Sequence, residues 1–271
     1  MKQYIADAFT DKVFSGNQAA VCILDEWPSD ELMLNIAKEN NFSETAFAVK
    51  ENDAYHLRWF TPGGEIDFCG HATLGTSFVI LNFYEKNCSE VAFITQVGKL
   101  TVQRKNDLYE MDFPAYALNR TEVTDQMEEA IGVRPLEAYL DRDLLLVLPD
   151  AASVKELRPD QEKIRELDGL LTAVTAPSDS AEYDCVSRVF VPKLNIPEDP
   201  VTGSTHCMIT PYWCARLGKK NLTCFQASER TGILYTAISG DRVKVAGKAV
   251  LYSEGEILAD QRTDPCRTNE M

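Results

Sequence analysis

Short apolar blocks separated by turn residues dominate the first half of the chain. Residues 4–9 read as a strand, Gly16-Asn17-Gln18 is a turn signal, and the apolar run 19–24 predicts a second strand. Ser29 offers an N-cap hydroxyl, and Leu32, Leu34, Ile36 and Ala37 follow at roughly helical spacing. Together they predict a helix over 30–39. Residues 45–49 and 55–60 predict paired strands, and 93–103 and 108–113 predict two more. The stretch 114–124 is polar and loop-like, so the domain division is set there. The mixed pattern then returns, with strands over 144–148, 172–175, 186–191, 223–227, 233–238 and 243–252 and a helix over 161–167. Residues 260–271 are polar, lack periodicity and read as a frayed tail. The expected organisation is therefore 1–115, 125–259 and a tail 260–271.

The two halves resemble each other. Ile66-Asp67-Phe68-Cys69-Gly70-His71 leads into the apolar stretch 72–81, and Asp199-Pro200-Val201-Thr202-Gly203-Ser204 leads into 205–214. Superposing Gly70 on Gly203 sets an offset of 203 − 70 = 133 residues. Phe93 on Phe225, Gly98 on Gly232 and Leu100 on Leu234 fall within one residue of it. This spacing predicts a duplicated α/β unit. In each copy a glycine turn opens into a helix too apolar for a surface, hence one buried in its own domain. The N-terminus of such a helix carries unpaired N–H groups and partial positive charge, which suits an anionic ligand.

Composition narrows the function. The 271 residues carry a net charge of −15, and the pI is about 4.7. Lys and Arg form no runs, which argues against nucleic acid. No stretch approaches a membrane helix and the start has no secretory pattern, so a soluble, cytoplasmic protein is expected. The eight cysteines include no C-x-x-C pair, and the three histidines, His56, His71 and His206, have no metal-ligand spacing. Neither G-x-G-x-x-G nor G-x-x-x-x-G-K-[ST] occurs. The expectation is no metal and no cofactor, with chemistry done by side chains and backbone.

Four segments carry a family resemblance. Residues 64–73, with Cys69-Gly70-His71-Ala72, and residues 198–207, with Asp199, Gly203, Ser204 and Thr205, are similar to the two signature segments of the phenazine biosynthesis F-like (PhzF-like) proteins. Residues 40–47 resemble the segment holding that family's catalytic glutamate, here Glu44, and Phe14-Ser15-Gly16-Asn17 resembles its F-x-G-N motif. Gln18 stands where the family usually has proline. The resemblance runs from about residue 4 to about residue 257. It implies an α/β fold of the diaminopimelate-epimerase type, with two pseudo-symmetric domains. Each is a curved, mostly antiparallel sheet wrapped around a central helix, and the active site lies between them. It also implies a homodimer.

The resemblance makes Glu44 the acid/base, and enclosure among Phe42, Ala46 and Phe47 would bring its proton affinity nearer to neutral pH. His71 would bind the substrate or relay a proton. Asp199 would assist proton transfer or orient the substrate. Ser204 would donate its hydroxyl to the substrate, with helix capping as the alternative. Gly70, Ala72, Gly203 and Thr205 would act through backbone N–H groups, and Asn17 would line the pocket. His206 is read as structural. Racemases on this fold use two cysteines; Cys69 stands at the first such position, but Thr202 occupies the second. The expected function is thus a cofactor-independent isomerase moving a proton between carbons of a small carboxylate. A ring such as the namesake's dihydro-hydroxyanthranilate is the first guess. The alternatives are an amino-acid racemase or epimerase, and a non-catalytic scaffold that binds a small carboxylate or a protein.

Overall fold

The computed structural model describes residues 1–259; the expected tail lies outside the described residues. The first alternating blocks form β1 (Lys2–Ala8) and β2 (Asn17–Leu24), followed by α1 (Asp30–Asn40). Ser29 caps α1, its Oγ accepting from Leu32 N at 3.2 Å, and left-handed Asn41 (φ 51°) ends it. Then come β3 (Glu44–Glu51), β4 (Ala54–Thr61), β5 (Gly64–Ile66) and the central helix α2 (Gly70–Val79), which runs on into a π-helical turn at Ile80–Tyr84. The expected strand over 93–103 is two: β6 (Glu90–Thr95) and β7 (Gly98–Lys105). Gly98, at φ 106°, lets the chain reverse there. β8 (Leu108–Pro114) follows.

The remaining elements are β9 (Asn119–Thr121), α3 (Asp125–Ile131), β10 (Glu137–Leu140), β11 (Leu144–Val147), α4 (Ala151–Lys155), α5 (Gln161–Glu166), β12 (Thr172–Pro177), β13 (Cys185–Val191) and β14 (Ile196–Glu198). After these come α6 (His206–Leu217), β15 (Asn221–Gln226), β16 (Gly232–Ser239), β17 (Arg242–Gly247) and β18 (Ala249–Glu256). The expected strand over 243–252 breaks at Lys248, whose carbonyl accepts from Phe9 N at 2.7 Å. α3, α4 and the short strands β5, β9, β10 and β14 escaped the sequence pattern because each spans at most seven residues.

The chain forms two units, Met1–Met111 with the segment from Gly247 onward, and Asp112–Ala246. The sequence-based division differs at its C-terminal end for a physical reason. β18 pairs antiparallel with β1, from Lys2↔Glu256 to Ala8↔Ala249, and so belongs with the first unit.

The first unit's strands run β18-β1-β2-β3-β4-β6-β7-β8, with β5 attached to β4; β2–β3 and β4–β6 are parallel and the rest antiparallel. The second runs β9-β10-β11-β12-β13-β15-β16-β17, with β14 on β13; β11–β12 and β13–β15 are its parallel steps. Every step of one unit therefore has its counterpart in the other, with the same sense of pairing. α2 and α6 occupy the same place in this order, each after the small hairpin strand. Both are buried along most of their length, as their uninterrupted apolar character predicts. α2 packs on β1, β2 and β3, where Gly75 brings the helix close to Ala6 and Ala19. Among the described residues no helix is long and apolar enough to cross a membrane.

A second repeated device fixes each signature segment. Arg58 on β4 grips Glu65 with two parallel bonds, Nε to Oε1 at 2.7 Å and Nη2 to Oε2 at 2.6 Å. Arg188 on β13 grips Glu198 in the same way, at 2.8 Å for both bonds. Each glutamate stands five residues before its motif glycine, so each fork holds the hairpin that feeds the central helix. Arg188 also donates to the carbonyls of Leu157 (2.8 Å) and Val154 (3.3 Å) and is buried; Arg58 reaches the exposed Asp30 instead.

Candidate active site

Three chain starts converge in the first unit. Gly16 turns the chain at φ 68°, where a Cβ would lie 2.2 Å from the Ala8 carbonyl oxygen, so only glycine fits. That turn places Asn17 at the head of β2, and Gln18, at the family's proline position, pairs with Asp7 of β1. The turn after α1 places Glu44 at the head of β3, with Asn40 Nδ2 donating to Thr45 Oγ1 at 3.1 Å across it. Because β2 and β3 run parallel, with Ala19 beside Glu44, the two heads lie at one end of the sheet. The start of α2 meets them there.

His71 is the hub. Its Nδ1 lies 3.0 Å from Asn17 Nδ2, and its Nε2 lies 2.9 Å from Glu44 Oε2. Cys69 Sγ is 3.5 Å from Nδ1 and 3.9 Å from Nε2. Asn17, Glu44, Cys69 and His71 are each less than a tenth exposed. The Asn17 amide thus meets the Nδ1 side of the ring, and Nε2 faces Glu44. The His71–Glu44 approach has ion-pair distance without hydrogen-bond alignment, so the buried Oε2 keeps its hydrogen-bonding capacity unspent.

The charges are mutually tuned. Burial alone would strip His71 of its proton, but its interactions with Cys69 and Glu44 outweigh burial and raise its proton affinity well above the ordinary histidine value. Burial first, and then the Glu44 charge, push the Cys69 thiol up to about 11. Near neutral pH Cys69 is therefore a thiol.

The second signature segment holds different contents. Asp199 Oδ2 accepts from Thr202 Oγ1 at 2.5 Å. The fully buried Gln226 accepts from Thr202 N at 2.9 Å and donates to the Asp199 carbonyl at 2.8 Å. Ser228 Oγ donates to the Pro200 carbonyl at 2.6 Å. His206 is buried with Nδ1 2.8 Å from the Thr202 carbonyl, in the structural role read for it. Ser204 does not cap α6: Thr205 holds the N-cap position, with no side-chain cap, and the Ser204 carbonyl accepts from Cys207 N at 3.0 Å. Ser204 is the one partly exposed residue between Val201 and Thr210. Neither Gly70 nor Gly203 is in the left-handed region, so they contribute small size rather than unusual backbone angles.

The structure thus gathers Asn17, Glu44 and His71 into one cluster, with Cys69 and the first turn of α2, where Gly70 and Ala72 lie. Asp199, Gly203, Ser204 and Thr205 belong to the other unit. α1, α3, α4 and α5 are capped by Ser29, Thr124, Asp150 and Asp160. α2 and α6 have neither a side-chain cap hydrogen bond nor a first-turn acid. Gln226, Ser228 and the two Arg–Glu forks were invisible to motif reading. Only the repeat offset, which aligns Glu65 with Glu198, could have pointed to the forks.

Comparison with known proteins places the chain in a family. The family model described as PhzC-PhzF, phenazine biosynthesis-like protein, matches residues 6–255. A Pseudomonas aeruginosa protein named as an uncharacterized isomerase is 43% identical over 251 residues, covering 93% of this chain and 96% of that one. A crystal structure of a PhzF-family phenazine biosynthesis protein from Enterococcus faecalis superposes with a TM-score of 0.93 at 46% identity, over 95% of this chain and 99% of that one. A hydroxyproline epimerase from Agrobacterium vitis shares the fold at a TM-score of 0.62 and 10% identity, over 95% and 90% of the two chains.

Proposed function

The chain belongs to the phenazine biosynthesis-like family and is an isomerase, and from that premise we propose that Glu44 shifts a proton between two carbons of a small carboxylate. The observation that carries this reading is the buried Glu44 Oε2, poised 2.9 Å from His71 Nε2 with its lone pairs unspent. A carboxylate with free acceptor capacity beside a cationic or N–H-bearing ring can take a proton and hold its orientation. The C–H bond breaks, a Glu44 O–H bond forms, and the electron pair passes into the substrate's conjugated system. The same carboxyl then returns the proton to a second carbon on the same face as the double bond migrates. No electrons enter or leave, so no cofactor is required.

His71 positions and electrostatically supports Glu44, and Asn17 orients its ring. The uncapped first turn of α2, at Gly70 and Ala72, is suited to a substrate anion. Asp199, Ser204, Gly203 and Thr205 join as substrate contacts on the family resemblance, which also leads us to propose a homodimer, to be checked by light scattering. A two-thiol epimerase mechanism is the weaker reading. The counterpart of Cys69 is Thr202, a poor acid whose hydroxyl is already committed to Asp199.

Hydrogen exchange at carbon tests the proposal. Wild type and Glu44→Gln are incubated in D2O with dihydro-hydroxyanthranilate and a panel of amino and unsaturated acids, followed by NMR. Deuterium uptake or double-bond migration by wild type, reduced about 10²–10⁴-fold in the variant, is expected. Equal rates in both proteins would remove Glu44 from the mechanism, and binding without exchange by either would favour the scaffold reading.

A further inference from the structure

Cys69 is the member of the buried cluster for which a one-base proton shift has no task. Its sulfur, the His71 ring and the Glu44 carboxylate present one ligand atom each, all within 4.8 Å of one another. His71 Nε2 is 2.9 Å from Glu44 Oε2 and 3.9 Å from Cys69 Sγ. In a tetrahedral zinc site the bonds to nitrogen and oxygen are about 2.0–2.1 Å and those to sulfur about 2.3 Å, which spaces neighbouring ligand atoms about 3.2–3.6 Å apart. Cys69 Sγ, at 3.5 Å from Nδ1, now lies nearer that side of the ring, so ion binding requires the Cys69 side chain to swing toward Nε2.

Three further features point the same way. All three residues are buried, so a cation would be held away from bulk water. Glu44 Oε2 is a buried acceptor without an aligned hydrogen-bond partner. Carboxylate oxygen, imidazole nitrogen and thiol sulfur together match a borderline-soft divalent ion such as Zn²⁺ and mismatch Mg²⁺ or Ca²⁺, which take oxygen. Asn17 completes the arrangement. A metal on Nε2 leaves the ring proton on Nδ1, and rotating the Asn17 amide by half a turn presents its oxygen to that N–H without changing shape.

We propose that Glu44, Cys69 and His71 form a three-ligand site for Zn²⁺ or a similar ion, and that the bound ion inhibits the enzyme. Binding exchanges the Cys69 S–H bond and the His71 Nε2–H bond for bonds to the metal and releases both protons to solvent, with water taking the remaining coordination position. Binding is independent of the function proposed above. Inhibition rests on that reading, because the ion occupies the carboxylate assigned as the base.

Titration of the chelator-treated full chain with Co²⁺ tests the site. A thiolate-to-cobalt charge-transfer band should grow to one ion per chain and vanish when Zn²⁺ displaces Co²⁺. Cys69→Ser and Cys69→Ala should both abolish the band, while Cys207→Ser, at a buried thiol remote in sequence, should keep it. Glu44→Gln and His71→Asn should weaken binding at least about tenfold, with circular dichroism confirming that each variant folds. No band in wild type, or a full band in both Cys69 variants, overturns the site. A Cys69-dependent band with undiminished proton exchange in the loaded enzyme would keep the site and instead sink the assignment of Glu44 as the base.

Discussion

At the start of α2 the ring of His71 sits among Asn17, Glu44 and Cys69; at the equivalent point before α6, Thr202 sits between Asp199 and Gln226. The strands around the two points follow one another in the same order and sense, and an Arg–Glu fork precedes each. Duplication therefore preserved the frame while the side chains at its centre diverged. In the first copy, ionisable groups are packed together and one buried carboxylate oxygen has no aligned bond. In the second, the Gln226 amide and the Ser228 hydroxyl tie down the backbone of the loop, and the Thr202 hydroxyl holds the Asp199 carboxylate. Unspent capacity is what reactive groups need, and satisfied hydrogen bonds are what a rigid binding loop needs. On the function proposed above, proton chemistry belongs to the first copy and substrate positioning to the second.

The two forks give the largest expected difference in stability. Arg188 is buried and also serves two backbone carbonyls, so Arg188→Met strands Glu198 and those carbonyls and should cost about 3–5 kcal/mol in urea unfolding. Arg58→Met, at a more exposed pair with an exposed second partner, should cost about 1 kcal/mol or less. Equal losses would show that the forks carry equal weight despite their different burial.

A smaller effect separates the loops themselves. Gln226→Ala removes the partner of Thr202 N–H in a fully buried place and should cost about 1–3 kcal/mol. It should also weaken retention of substrate more than it slows proton exchange at saturation, seen as a rise in KM with kcat nearly kept. A fall in kcat at unchanged KM would instead move the second loop into the chemistry.

The mildest effect is in pH. The folded protein raises the proton affinity of His71, so this group's contribution to stability is fully present below its unfolded pKa of about 6.5 and is lost as pH rises through the folded value. The urea midpoint of wild type should fall above about pH 6.5 relative to that of His71→Gln. Parallel pH profiles for the two proteins would mean that Glu44 and Cys69 do not hold the proton on the ring.

Much of this was readable before any coordinates. Ser29 announced α1 because a hydroxyl before an amphipathic run has a local job to do, and the apolar helices stood out because no surface could carry them. The duplication was legible through glycines and apolar residues that keep their spacing. The hairpin inside 93–103 and the break at Lys248 were not, since both interrupt runs whose composition remains that of a strand. Gln226 was hidden for a related reason: a glutamine among alternating strand residues looks like a solvent-facing position until its neighbours are known.

The sequence by itself determined the longer elements through local spacing, and its family resemblance marked the two signature segments and Glu44, His71 and Asn17 as residues to watch. Only the tertiary structure decided that β18 returns to β1, that Asn17 meets the ring of a histidine 54 residues away, and that the Cys69 sulfur lies against that ring. Those facts depend on strand register and burial, which bring together groups far apart in the chain and change their charge by removing water from around them.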